Sequence, residues 1–112
     1  KKLEQVAADT MVGGATLTKM LGTSAWYAPG AAAARIVESI LKDEKKVFPS
    51  CVHLEGQYGQ EDLYIGAPAV IGRNGVEKIL EIELNETEKA AFAKSAEAVR
   101  NTNKVLYEIG AL

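Results

Sequence analysis

The pair Asn74-Gly75, set between Val70-Ile71 and Val76, restricts more than any other feature what this chain can fold into. Both residues accept positive φ, so Asn-Gly is the strongest short signal for a β-hairpin. A hairpin demands antiparallel strands on either side. Leu63 to Ile65 reads as a short strand; Gly66-Ala67-Pro68 interrupts it and Ala69 to Ile71 resumes it. The return strand runs from Val76 to Leu84, with Leu80, Ile82 and Leu84 on one face and Glu81 and Glu83 on the other. A further strand, Val47 to Leu54, precedes the hairpin. Phe48, Ser50, Val52 and Leu54 share one of its faces, Cys51 and His53 the other. Pro49 cannot donate to a ladder, which assigns this strand to an edge or a bulge. Glu55 to Asp62, with its glycines and charges, reads as a loop.

Helical periodicity flanks the strands. Leu3, Val6, Ala7, Thr10 and Met11, then Leu17, Met20 and Leu21, recur at helical spacing over Lys2 to Leu21. Gly13-Gly14 falls inside and would cost about 2 kcal/mol relative to alanine. The expectation is a break between two helices, or a close helix crossing. No strand precedes the pair and no G-x-G-x-x-G follows, so it is not read as a phosphate loop. Gly22 suits a helix end, and Thr23 or Ser24 can cap the next helix. Ala33, Ile36, Val37, Ile40 and Leu41 stripe that helix, which should end near Lys42-Asp43. Asn85 with Glu88 makes a capping box for a last helix, traced by Phe92, Ala96, Val99 and Leu106. Helices, then antiparallel strands, then a helix imply an α+β fold, long helices packed on an antiparallel sheet. No internal repeat, linker or domain boundary interrupts it.

The chemistry-bearing residues are few. There is one His, so no His-pair metal site can form and no metal is expected. Cys51 and His53 lack an orienting third group, although Glu55 shares their face. A surface role is expected for them, and a solvated one for Glu81 and Glu83. No catalytic residue is expected among these residues. At 112 residues, 47% hydrophobic and 25% charged, the chain is neither a disordered tail nor a disulfide scaffold. A net charge of −2 gives no basic surface for nucleic acid. No apolar run approaches the ~18 residues that span a bilayer. Cys51 has no partner for an internal disulfide, compatible with a reducing compartment. The chain opens on Lys-Lys-Leu-Glu without Met, which reads as a piece of a longer protein.

Five segments, in order, carry a resemblance. The run Gly22-Thr23-Ser24-Ala25-Trp26-Tyr27-Ala28-Pro29-Gly30 with Ala31 to Ala34, followed by Val37-Glu38-Ser39-Ile40-Leu41, resembles a helix opening in the substrate domain of the lactate/malate dehydrogenase family. Val47-Phe48-Pro49-Ser50-Cys51-Val52 with Leu54-Glu55-Gly56-Gln57-Tyr58-Gly59 resembles the family's P-C-S-V-x-L-x-G-x-Y-G, with Ser and Cys exchanged. Asp62 to Ile71, then Gly72 to Ile79, resemble its D-x-x-x-G-x-P-x-x-x-G-x-x-G-x-E. Asn85 to Val99 resembles its closing helix. The wording Ala-Trp-Tyr-Ala-Pro-Gly is closest to bacterial malate dehydrogenases of the lactate-dehydrogenase-like type.

The resemblance implies that residues 1–112 are the C-terminal substrate domain of such an enzyme, with an N-terminal Rossmann domain binding NAD elsewhere. In the family a histidine takes the substrate's hydroxyl proton as hydride moves to nicotinamide. Arginines clamp the carboxylates, and an aspartate orients the histidine. The resemblance assigns all of these upstream of Lys1, and His53 lies in a different motif. Ser24 aligns with a family hydroxyl on the pocket floor and is the expected substrate-binding residue, besides its reading as a helix cap. Ala28 is expected to face the nicotinamide. NAD is not expected to bind these residues alone. The partners implied are a small 2-hydroxy or 2-oxo acid and further copies of the chain, in a cytoplasmic dimer or tetramer. The alternatives are a lactate dehydrogenase domain, or a stand-alone interaction domain of the same fold.

Overall fold

The computed structural model describes residues 2–110. Lys1 and residues 111–112 of the expected domain lie outside the described residues. The element order is α1 (Lys2–Leu21), α2 (Tyr27–Leu41), β1 (Lys46–Glu55), β2 (Glu61–Gly72), β3 (Gly75–Ile79) and α3 (Glu86–Glu108). The α+β reading holds. The chain divides into two compact units, residues 1–37 and 38–112. The sequence carries no sign of that division, because α2 runs across it without a break in composition.

In the first unit, α1 passes unbroken through Gly13-Gly14, against the expected break. A break would free up to four N–H and four C=O groups. It would also require a second, costly nucleation. Two glycines cost less than that. No close crossing explains them either, since a Cβ at Gly13 or Gly14 would meet nothing within 4 Å. No side chain of α1 is buried, and Leu3, Met11 and Met20 are exposed by 84%, 87% and 79%.

In the second unit, β1, β2 and β3 form an antiparallel sheet in that order. β1 is an edge, as Pro49 requires. β2 is continuous from Glu61 to Gly72, against the expected interruption. Pro49 stands opposite Pro68, and Pro68's carbonyl accepts from Leu80 N–H at 2.8 Å on the β3 side. A strand residue points its C=O and N to the same edge, so neither proline removes a bond from the β1–β2 ladder. At the hairpin, Gly72 pairs with Gly75, and Gly75 alone of the Asn-Gly pair takes positive φ, at 85°. β3 ends at Ile79, five residues before the expected Leu84.

The pleat decides the core. Val52 and Leu54 of β1 and Leu63, Ala67, Ala69 and Ile71 of β2 are buried on one face. α3 packs there through buried Ala96 and half-buried Phe92. Alanines at 67, 69 and 96 let helix and sheet approach closely. The capping box is formed as expected: Asn85 Oδ1 accepts from Glu88 N–H, and Glu88 Oε2 accepts from Asn85 N–H, both at 2.9 Å. One buried polar group was not foreseen. Ser39, fully buried in the last turn of α2, donates to the Ile71 carbonyl at 2.8 Å and ties that turn to β2.

Ser50, on the core face of β1, buries a hydroxyl oxygen that has no hydrogen-bond partner among the described residues. Such an oxygen costs roughly 1–3 kcal/mol. A thiol of similar shape tolerates the same place without a partner. Ser50→Cys is therefore expected to raise stability by about 1 kcal/mol. Urea denaturation checks it, and an unchanged or lowered midpoint at constant slope would refute it.

Candidate functional site

The turn between α1 and α2 is built by its backbone. Gly22, at φ 71°, ends α1 in the left-handed conformation that a side chain rarely adopts. The Ser24 carbonyl accepts from Trp26 N–H at 3.0 Å, and the Trp26 carbonyl accepts from Gly30 N–H at 3.2 Å, opening α2. Pro29 is accommodated because the first helical turn needs no donor there. Among the described residues, neither Thr23 nor Ser24 caps α2 with its side chain, so the cap expected at one of them is not made.

This turn encloses an open cleft of about 560 Å³, lined by Leu21, Thr23, Ser24, Ala25, Trp26 and Tyr27. Its walls are mainly apolar, and Thr23 and Ser24 are the hydroxyl-bearing residues of the lining apart from Tyr27. Trp26 and Tyr27 are exposed by 72% and 95%. Ala28 stands one residue beyond the lining, in the first turn of α2. Ser24 is among the lining residues, and Ala28 is not. A planar amide or a carboxylate could sit against such a hydroxyl, which both donates and accepts.

His53, for which a surface role is expected, gains a partner that linear reading missed. His53 Nε2 lies 3.2 Å from Asp62 Oδ1, brought over by the β1–β2 pairing, and Nδ1 lies 3.8 Å from Glu55 Oε1. Its ring stacks at 4.8 Å from Tyr64. The two carboxylates are 99% and 79% exposed, so water screens both pairs. No hydrogen bond joins His53 to exposed Cys51 among the described residues. Nor does any group of three His, Cys, Asp or Glu side chains among them suit a metal ion. Glu81 is not the merely solvated acid expected: its Oε2 accepts from Tyr58 N–H at 2.8 Å. No described helix is long and apolar enough to cross a membrane.

A dinucleotide's phosphates find no cradle among these residues. Gly13-Gly14 lies within α1, away from any helix start. The strand-to-helix connection from β3 leads into α3 past Asn85, with Glu86 and Glu88 in its first turn, and those carboxylates repel phosphate.

The chain belongs to the lactate/malate dehydrogenase family: the model of that family's alpha/beta C-terminal domain matches residues 1–108. Among curated proteins, the malate dehydrogenase of Bacteroides thetaiotaomicron is 64% identical over 112 residues, all of this chain and 36% of that protein. That of Flavobacterium frigidimaris is 64% identical over 107 residues, 96% of this chain and 34% of that protein. The chain thus spans about a third of the length of these relatives. Among solved structures, the Salinibacter ruber malate dehydrogenase superposes with TM-score 0.85 at 38% identity, covering 97% of this chain and 37% of that one. The Eimeria maxima lactate dehydrogenase, solved with NADH and oxamate, gives 0.91 at 36% identity over 97% of this chain and 34% of its own.

Proposed function

We propose that this chain is the C-terminal domain of an NAD-dependent malate dehydrogenase, which interconverts malate and oxaloacetate. One observation carries the reading: the match to a malate dehydrogenase, at 64% identity, extends over all 112 residues. NAD, when bound, accepts hydride from the carbinol carbon. Ser24 would bind at the pocket floor, donating to a substrate carboxylate or accepting from the nicotinamide carboxamide. Ala28, small and adjacent, would leave room for the nicotinamide face. The proton acceptor, the carboxylate-clamping arginines and the phosphate cradle belong to the preceding domain in this reading. The enzyme would serve carboxylic acid metabolism, in the tricarboxylic acid cycle, in the cytoplasm.

Assay of the full-length enzyme with NADH tests the proposal. Oxaloacetate is expected to be reduced with far higher kcat/KM than pyruvate. The close superposition on a lactate dehydrogenase makes pyruvate the informative competitor. Preference for pyruvate would overturn the malate reading, and no turnover of either acid would favour a non-catalytic interaction domain.

The proposal extends to a homo-oligomer. A soluble monomer rarely leaves several hundred Å² of contiguous apolar surface in water. Leu3, Val6, Met11 and Met20 are all more than half exposed along α1. The 112-residue chain alone is expected to self-associate, most simply as a two-fold dimer. Sedimentation equilibrium over a concentration series checks this. A single species of 12.0 kDa at high concentration would refute it.

A further inference from the structure

A second cleft, of about 510 Å³, lies in the unit of residues 38–112 and contains neither Ser24 nor Ala28. Tyr58, Phe92, Ile82 and Leu84 form its apolar part, and Glu81 and Glu83 add carboxylates. The volume is within the range of small-molecule sites, which are mainly apolar with a few placed polar groups.

The wall is held in place from several sides. Tyr58 adopts the left-handed conformation, φ 53° and ψ 22°. Its hydroxyl donates to the Leu80 carbonyl at 2.7 Å and accepts from Ile82 N–H at 2.9 Å. Its ring lies 5.0 Å from that of Phe92, tilted by 36°. Its N–H donates to Glu81 Oε2 at 2.8 Å. Glu81 is thereby oriented beside an aromatic pair, with Oε1 left to receive a donor. Ile82 exposes 58% of its surface next to it.

Charge selects the occupant. Lys89, the cation of the lining, is paired with Glu86 at 2.8 Å. Glu81 and Glu83 then leave the cleft negative. The positive end of α3 is met by its own Glu86 and Glu88. An anion is disfavoured here. An ammonium gains both the oriented carboxylate and the face of an aromatic ring. We infer that the cleft between Tyr58, Glu81–Leu84 and Phe92 binds a small amphipathic ammonium ion, one cationic group on an aromatic or short aliphatic body.

Phenethylammonium is the probe, titrated calorimetrically into the full-length protein, with phenethyl alcohol as its neutral counterpart. Saturable one-site binding is expected, roughly fivefold or more tighter for the ammonium. Glu81→Gln keeps an acceptor for Tyr58 N–H while removing the charge. It should leave the melting temperature unchanged and weaken ammonium binding roughly fivefold. If that variant folds poorly, Glu83→Gln at the rim replaces it, with a loss of about twofold or more. Phe92→Leu should weaken both ligands, since it removes the aromatic face and keeps an apolar side chain. The inference is overturned by absence of saturation, by equal affinity for the alcohol, or by unchanged affinity in the folded Glu81 or Glu83 variant. A crystal soak that seats the ammonium away from Glu81 overturns it as well.

Discussion

Given oxaloacetate and NADH, the 112-residue chain on its own is expected to oxidise no NADH above a blank. Two deficits combine. The described residues have no phosphate cradle, so the cofactor's binding energy is lost. His53, the one histidine, lies on β1 with exposed carboxylates as neighbours, and in the reading proposed above the proton acceptor belongs to the preceding domain. A positioned acid–base group contributes about 10²–10⁴ in rate. Holding reactant against cofactor contributes several orders more. Calorimetric titration with NADH and an absorbance assay with oxaloacetate, both on pure chain, check the expectation. Reproducible turnover would mean that the chemistry resides here, and the division of labour proposed above would be wrong.

Ser24→Ala in the full-length enzyme is expected to lower kcat/KM by roughly ten- to a hundredfold, because a hydrogen bond to a charged group contributes about 1.5–3 kcal/mol. The fold should survive. The turn is closed by the Ser24 carbonyl, which alanine retains, and among the described residues its hydroxyl caps no helix. Melting temperature is therefore expected to stay within a degree or two while steady-state kinetics fall. Unchanged kinetics would reduce Ser24 to a surface residue of the turn. A large drop in melting temperature would make it structural instead.

Where local chemistry suffices, the sequence determined the outcome. Asn85 and Glu88 satisfy each other's backbone N–H groups within four residues, so that helix start was legible. The alternation of Val52 and Leu54 against Cys51 and His53 assigns the faces of β1, because the pleat has period two. Gly22 and Pro29 mark the turn between α1 and α2 through a left-handed glycine and a proline in a first helical turn.

Other features depend on residues far apart in the chain. Pro68 looks like a strand breaker until Pro49 stands opposite it and its bare nitrogen faces the β3 side. Leu80 to Leu84 alternates like a strand. There, however, Tyr58, 24 residues before Ile82, takes the Ile82 N–H and donates to Leu80. Ser39 reads as one polar residue on a helix, yet Ile71, 32 positions away, accepts its hydroxyl and fixes that last turn. Asp62 meets His53 only through the β1–β2 register. Local patterns report how a segment satisfies its own backbone and which face it hides. Only the tertiary structure, by bringing distant donors and acceptors together, decided where strands stop, which serine is buried and which carboxylate is held in place.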